Sequence, residues 1–129
     1  MGNEIIFLFT LLPSILIALF FIKSDKYPEP TKEIIKVFAF GFLITIPIFF
    51  INTFIFLIVE SYQISLLIAA FVEEFFKFLI IYFIVRKSIH LDEPIDCIVY
   101  AVLASLGFAT LENIYYVYAS GFANNAYEE

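Results

Sequence analysis

The stretch from Val37 to Val59 reads VFAFGFLITIPIFFINTFIFLIV and carries no charge at any position. A helix needs about 20 mostly apolar residues to cross the hydrocarbon core of a bilayer. This stretch meets that length with no polar face to turn toward water. Working outward, residues 5–22 are also free of charge, residues 65–85 are apolar apart from Glu73, Glu74 and Lys77, and residues 95–118 are apolar apart from Asp96 and Glu112. Over the whole chain of 129 residues, 63% are hydrophobic and 16% charged. Soluble domains are about 45–50% apolar and about 25% charged. The sequence therefore predicts an all-α, polytopic transmembrane helix bundle of about four spans, at 5–22, 34–59, 65–85 and 95–118. A β-barrel is excluded because barrel strands alternate over about ten residues, whereas these runs are continuously apolar. Net charge is −6 and no basic cluster goes beyond short pairs, which argues against nucleic acid as a partner. The lone Cys97 cannot form an internal disulfide, and no Cys/His spacing suggests a structural zinc.

Met1-Gly2-Asn3-Glu4 lacks the positive charge of a secretory leader, and KSDKYPEP after Ile22 lacks a small-residue cleavage site, so the first segment reads as a retained span. Lys23, Lys26, Lys32 and Lys36 flank the first loop, and Arg86 and Lys87 open the third. The second loop, ESYQI, has no basic residue. The positive-inside rule then places the first and third loops in the cytoplasm and both chain ends outside it.

Ionisable residues inside spans are costly and mark sites. FVEEFFKF places Glu73 and Glu74 one turn before Lys77, so that one lysine can reach either carboxylate at i,i+4 or i,i+3. Ala69 and Ala70 share that stripe, while Phe71, Phe75 and Phe78 lie toward lipid. On the fourth span, Cys97, Ala101, Ala104, Ser105 and Ala109 form a small-residue stripe suited to close packing, leading to Glu112 and Asn113. Counting about 1.5 Å per residue from the outer ends puts the three carboxylates at similar depth. Together with Lys77 they sum to −2, more than a helix lock requires. A proton, a divalent metal or another helix must offset it. Such a group suits a glutamate acting as general base on water, or three carboxylates (Glu73, Glu74, Glu112) holding a cation. Thr45 and Asn52 read as interhelical hydrogen-bonders, Asp96 as a cap of the fourth span, Cys97 as a packing residue, and Tyr115, Tyr116 and Tyr118 as an interfacial belt.

AFVEEFFKF (Ala70–Phe78), GFATLEN (Gly107–Asn113), the wider segment DEPIDCIVYAVLASLGFATLENIYY (Asp92–Tyr116) and the YPEP of the first loop together resemble the PrsW family of intramembrane proteases. The resemblance runs from about Ser24 to Tyr116, and two motifs in order make it specific. It implies a single membrane-embedded domain over residues 1–129, incomplete at its C-terminus. The implied activity is an intramembrane peptidase that cleaves membrane-anchored substrates resembling anti-sigma factors, in a prokaryotic plasma membrane. Glu73 and Glu74 match the catalytic glutamate pair, Lys77 the motif lysine, and Glu112 and Asn113 the second motif. The family's classification as metallopeptidases implies a divalent metal such as zinc. The family has Gly at the positions of Cys97 and Ala101, and a catalytic His on helices after the second motif. The single His90 falls in the third loop and reads as a loop residue. Catalysis by these 129 residues alone is therefore not expected. The competing readings are a non-catalytic membrane scaffold and a proton- or ion-coupled membrane component.

Overall fold

The computed structural model describes residues 2–27, 29–87 and 93–126, and His90 lies outside them. Four helices follow one another: α1 (Gly2–Ser24), α2 (Thr31–Ile58), α3 (Tyr62–Ile80) and α4 (Pro94–Ala126). The π-helical turn Ile81–Val85 extends α3. Their number matches the four expected spans. Thr31–Ile58 and Pro94–Ala119 are each long and apolar enough to cross a membrane, and Leu11–Ser24 is a shorter apolar helix. Leu57, Phe71, Phe9 and Phe50 are each about two-thirds or more exposed. A water-soluble surface rarely presents apolar side chains on this scale; a lipid-facing one requires them.

Local chemistry sets the boundaries. Pro30 precedes α2, and its carbonyl accepts the N–H groups of Glu33 and Ile34, which opens the first turn. Only Val59, Glu60 and Ser61 connect α2 to α3, and so short a link makes the helices antiparallel neighbours. The buried Ser65 hydroxyl fastens this hairpin by donating to the Ser61 and Val59 carbonyls. Pro94 begins α4, where its missing N–H costs nothing. Two residues on, the Asp96 carboxylate reaches back to accept the Glu93 N–H at 2.7 Å. Asp96 therefore caps α4 as expected, from inside the first turn and not from the position before it.

Helix α4 is the centre of the bundle. It packs most extensively on α2, then on α1, and least on α3, while α3 leans mainly on α2. Its buried face runs Asp96, Val99, Tyr100, Leu103, Ala104, Gly107 and Phe108, a helical period. Val37, Ile80, Val99, Tyr100, Leu103 and Ala104 form the core cluster. Lipid supplies no hydrophobic drive between apolar helices, so close backbone approach and dispersion must hold them. Gly41 and Gly107 provide that approach. A Cβ on Gly41 would lie 2.1 Å from the Ala104 carbonyl oxygen, and one on Gly107 would lie 2.2 Å from the Phe38 carbonyl oxygen.

The small-residue stripe expected on α4 is therefore partly displaced. Ala104 is buried and Ala101 and Ala109 are half-buried, but Cys97 and Ser105 are exposed. Close approach is needed only where α2 crosses, at Ala104 and Gly107; elsewhere the interface is filled by Tyr100, Leu103 and Phe108. Residue size alone thus misplaced the face by about one position. The outward placement of Phe71, Phe75 and Phe78 on α3 holds.

Candidate functional site

Helices α2, α3 and α4 converge around a cavity of about 660 Å³, which Asn52 of α2, Glu73 of α3 and Glu112 of α4 line together with the hydroxyl-bearing Thr45, Thr53, Tyr62, Tyr115 and Tyr116. The walls are otherwise mostly apolar, with Phe49, Phe56, Leu66, Phe108 and Leu111 among them, and Ala69 and Ala70 make room on α3. A largely apolar cavity with a few converging polar groups is the usual form of a binding site.

Asn52 Nδ2 donates to Glu73 Oε1 at 2.9 Å, across α2 and α3. Asn52 Oδ1 is buried and has no hydrogen-bond partner. A carboxylate accepts and does not donate, so this bond fixes which end of the amide meets Glu73 and leaves the amide oxygen facing elsewhere. The reading of Asn52 as an interhelical hydrogen-bonder holds. Thr45 behaves differently: its hydroxyl donates to the Gly41 carbonyl one turn back within α2, so it does not bridge helices through this bond.

The adjacent acids of α3 part company. Glu73 is half-buried on the cavity, close enough to act electrostatically on Glu112 of α4. The Glu74 side chain is 73% exposed and binds Lys77 Nζ at 2.8 Å. Successive helical residues point about 100° apart, so only one of the two can face the bundle. Lys77 is largely buried, with its ammonium 4.4 Å from the centroid of the Phe108 ring. It is held between a cation–π contact on α4 and an ion pair on its own helix. Asn113 is half-buried and is not among the residues that line the cavity. The structure thus brings Glu73 and Glu112 to one cavity with Lys77 beside them, and leaves Glu74 and Asn113 off it.

Asn52 is read from sequence as an interhelical hydrogen-bonder and not as part of this site. Its one visible signal is an amide within a run of residues that is otherwise uncharged. Tyr115 and Tyr116, expected as a belt, are exposed and also line the cavity, with Tyr115 edge-on to Phe49 at 5.0 Å.

A catalytic zinc site uses three protein ligands, most often with nitrogen or sulfur among them. The ligand atoms lining this cavity are all oxygen, from two carboxylates, an amide and the hydroxyls of Thr45, Thr53, Tyr62, Tyr115 and Tyr116, and Glu73, Glu74 and Glu112 do not bring three carboxylate oxygens within 4.8 Å. These residues alone do not fit zinc. Among the described residues the close acidic group is Asp25, Glu93 and Asp96, at the other end of the bundle.

Comparison with known proteins agrees with the motifs. Residues 29–128 match the family described as PrsW family intramembrane metalloprotease. The chain is 39% identical over 109 residues to Protease PrsW of Geobacillus kaustophilus (strain HTA426), covering 82% of this chain and 48% of the relative. It is 36% identical over 122 residues to Protease PrsW of Clostridioides difficile (strain 630), covering 88% and 51%. It is 36% identical over 117 residues to Protease PrsW of Bacillus subtilis (strain 168), covering 84% and 52%. The chain spans about half the length of these curated relatives. No solved structure matches it. A family match over most of the chain, spanning both motifs that form and flank the cavity, makes this integral membrane protein a member of the PrsW family.

Proposed function

We propose that the cavity between α2, α3 and α4 is the hydrolytic centre of a PrsW-type intramembrane peptidase, with Glu73 as the general base. The observation that carries this reading is the Asn52–Glu73 bond beside Glu112 in a mostly apolar cavity. Asn52 holds one carboxylate oxygen of Glu73, leaving the other to take a proton from water. The water oxygen attacks the scissile carbonyl carbon, and the C–N bond then breaks as the proton passes from Glu73 to the amine nitrogen. Positioned proton transfer of this kind contributes about 10²–10⁴-fold to rate. The oxyanion that forms needs a donor, and the hydroxyls of Tyr115 and Tyr116 on the cavity wall are available. Glu112 and Lys77 set the charge around the base. Glu74 acts at one remove, by holding Lys77. No step is routed through a metal.

The substrate in this reading is a membrane-anchored protein, of the anti-sigma-factor kind, whose segment unwinds beside the exposed aromatic face of α3. The bundle over residues 1–129 works as one membrane-embedded unit. Its basic end, with Lys23, Lys26, Lys32, Lys36, Arg86 and Lys87, faces the cytoplasm, and both chain ends face away from it. The test is cleavage of a single-span reporter by a full-length protease carrying these helices. Glu73→Gln should abolish cleavage while membrane insertion and thermal stability are retained. Cleavage that survives Glu73→Gln sinks the assignment.

A further inference from the structure

At the basic end of the bundle, two segments meet through acids although 67 residues, 26–92, lie between Asp25 and Glu93. Asp25, in the α1–α2 connection, and Glu93 and Asp96, at the start of α4, each bring a carboxylate oxygen to within 4.8 Å of the others. Asp25 is 7% exposed and Asp96 1%; Glu93 is half-buried. Three like charges this close in a poorly solvated place repel one another. Neither Asp25 nor Glu93 forms an ion pair with a described residue. The nearby Lys26 instead lies over the Tyr27 ring, its ammonium 5.3 Å from the centroid.

Local hydrogen bonds account for part of the cluster. Asp25 Oδ1 accepts the Tyr27 N–H at 3.0 Å, an ordinary turn contact. Asp96 Oδ2 accepts the Glu93 N–H. The other oxygen of Asp25, Oδ2, is buried and has no hydrogen-bond partner. A buried unpaired carboxylate oxygen is costly, and nothing in the turn requires it. A cation held by the Asp25, Glu93 and Asp96 carboxylates would give this oxygen the partner it lacks.

We infer that Asp25, Glu93 and Asp96 bind a hard divalent cation of the calcium or magnesium class, which ties the α1–α2 connection to the N-terminus of α4. The donors are all oxygen, which selects calcium, magnesium or manganese over zinc or copper. Calcium–oxygen distances are about 2.3–2.6 Å, so ligands on opposite sides of the ion stand at most about 5 Å apart; for magnesium the limit is about 4 Å. A spacing within 4.8 Å lies inside the calcium limit. The site is separate from Glu73 and Glu112 and does not depend on the peptidase reading.

The test uses the complete chain, purified in detergent, with manganese as a paramagnetic probe and calcium and magnesium as competitors. Manganese should bind saturably, in an amount close to one ion per chain. Calcium should displace it and should raise the midpoint of thermal unfolding. Asp25→Asn keeps the acceptor for the Tyr27 N–H but removes the charge, and should weaken binding at least about tenfold and cancel the thermal shift. Glu93→Gln should weaken it as well, while Glu73→Gln should leave it unchanged. Absence of saturable binding overturns the inference. So does binding that Asp25→Asn and Glu93→Gln leave intact, or binding lost only with Glu73→Gln, which would put the ion in the intramembrane cavity.

Discussion

The bundle keeps acids in two places and treats them differently. At the basic end, Asp25, Glu29 and Asp96 are at least nine-tenths buried and each accepts a hydrogen bond: from a turn N–H, from the Tyr100 hydroxyl of α4 and from the N–H just before α4. In the cavity, Glu73 and Glu112 are only half-buried, and a single amide bonds Glu73. Buried acids bonded to the chain around them hold elements in register. Half-buried acids facing a mostly apolar cavity remain available to a reactant. The difference separates a structural end of the molecule from a chemical one.

The sharpest way to break that division is at the α3 glutamates. Glu73→Gln should lower cleavage by at least about a hundredfold, in line with the loss of a general base. Glu74→Gln should cost less than about tenfold, the worth of an exposed ion pair. Equal losses would mean that the two acids act as a unit and that the outward position of Glu74 is not the working one.

Stability should be most sensitive at the helix crossing. Gly107→Ala drives a methyl into the Phe38 carbonyl and should destabilise by about 1–3 kcal/mol, measured by thermal unfolding in detergent. Tyr100→Phe removes the hydroxyl that donates to the buried Glu29 carboxylate and should cost about 1.5–3 kcal/mol, with cleavage per folded molecule unchanged. A loss of activity without loss of stability there would move function to the basic end. The smallest effect is expected at Cys97, which is exposed: Cys97→Ser should stay within about 0.5 kcal/mol and gives a thiol-free background for labelling.

Much of this was legible beforehand. Long, continuously apolar runs pointed to the helices, because only helices and closed barrels satisfy their backbone in lipid and barrel strands alternate. The Phe71, Phe75 and Phe78 stripe followed from helical spacing alone. What escaped were rotations of a single residue. Glu73 and Glu74 are adjacent, and which one faces inward depends on where α2 sits, which spacing within α3 does not state. The same applies to Cys97 and Ala104: both are small, but only Ala104 lies under Gly41. Asn52 was visible as an oddity in an apolar run, yet its partner is 21 positions away. The Asp25–Asp96 meeting depends on a loop folding back over α4, for which the sequence holds no periodic signal.

The central claim is that Glu73, and not Glu74, shares a cavity with Glu112. Paired cysteines in a Cys97→Ser background test it without any need for activity. A short bifunctional thiol reagent, applied in membranes, should cross-link cysteines at 73 and 112 efficiently and those at 74 and 112 poorly. Efficient coupling of 74 with 112, with little at 73, would contradict the account and turn α3 by one residue.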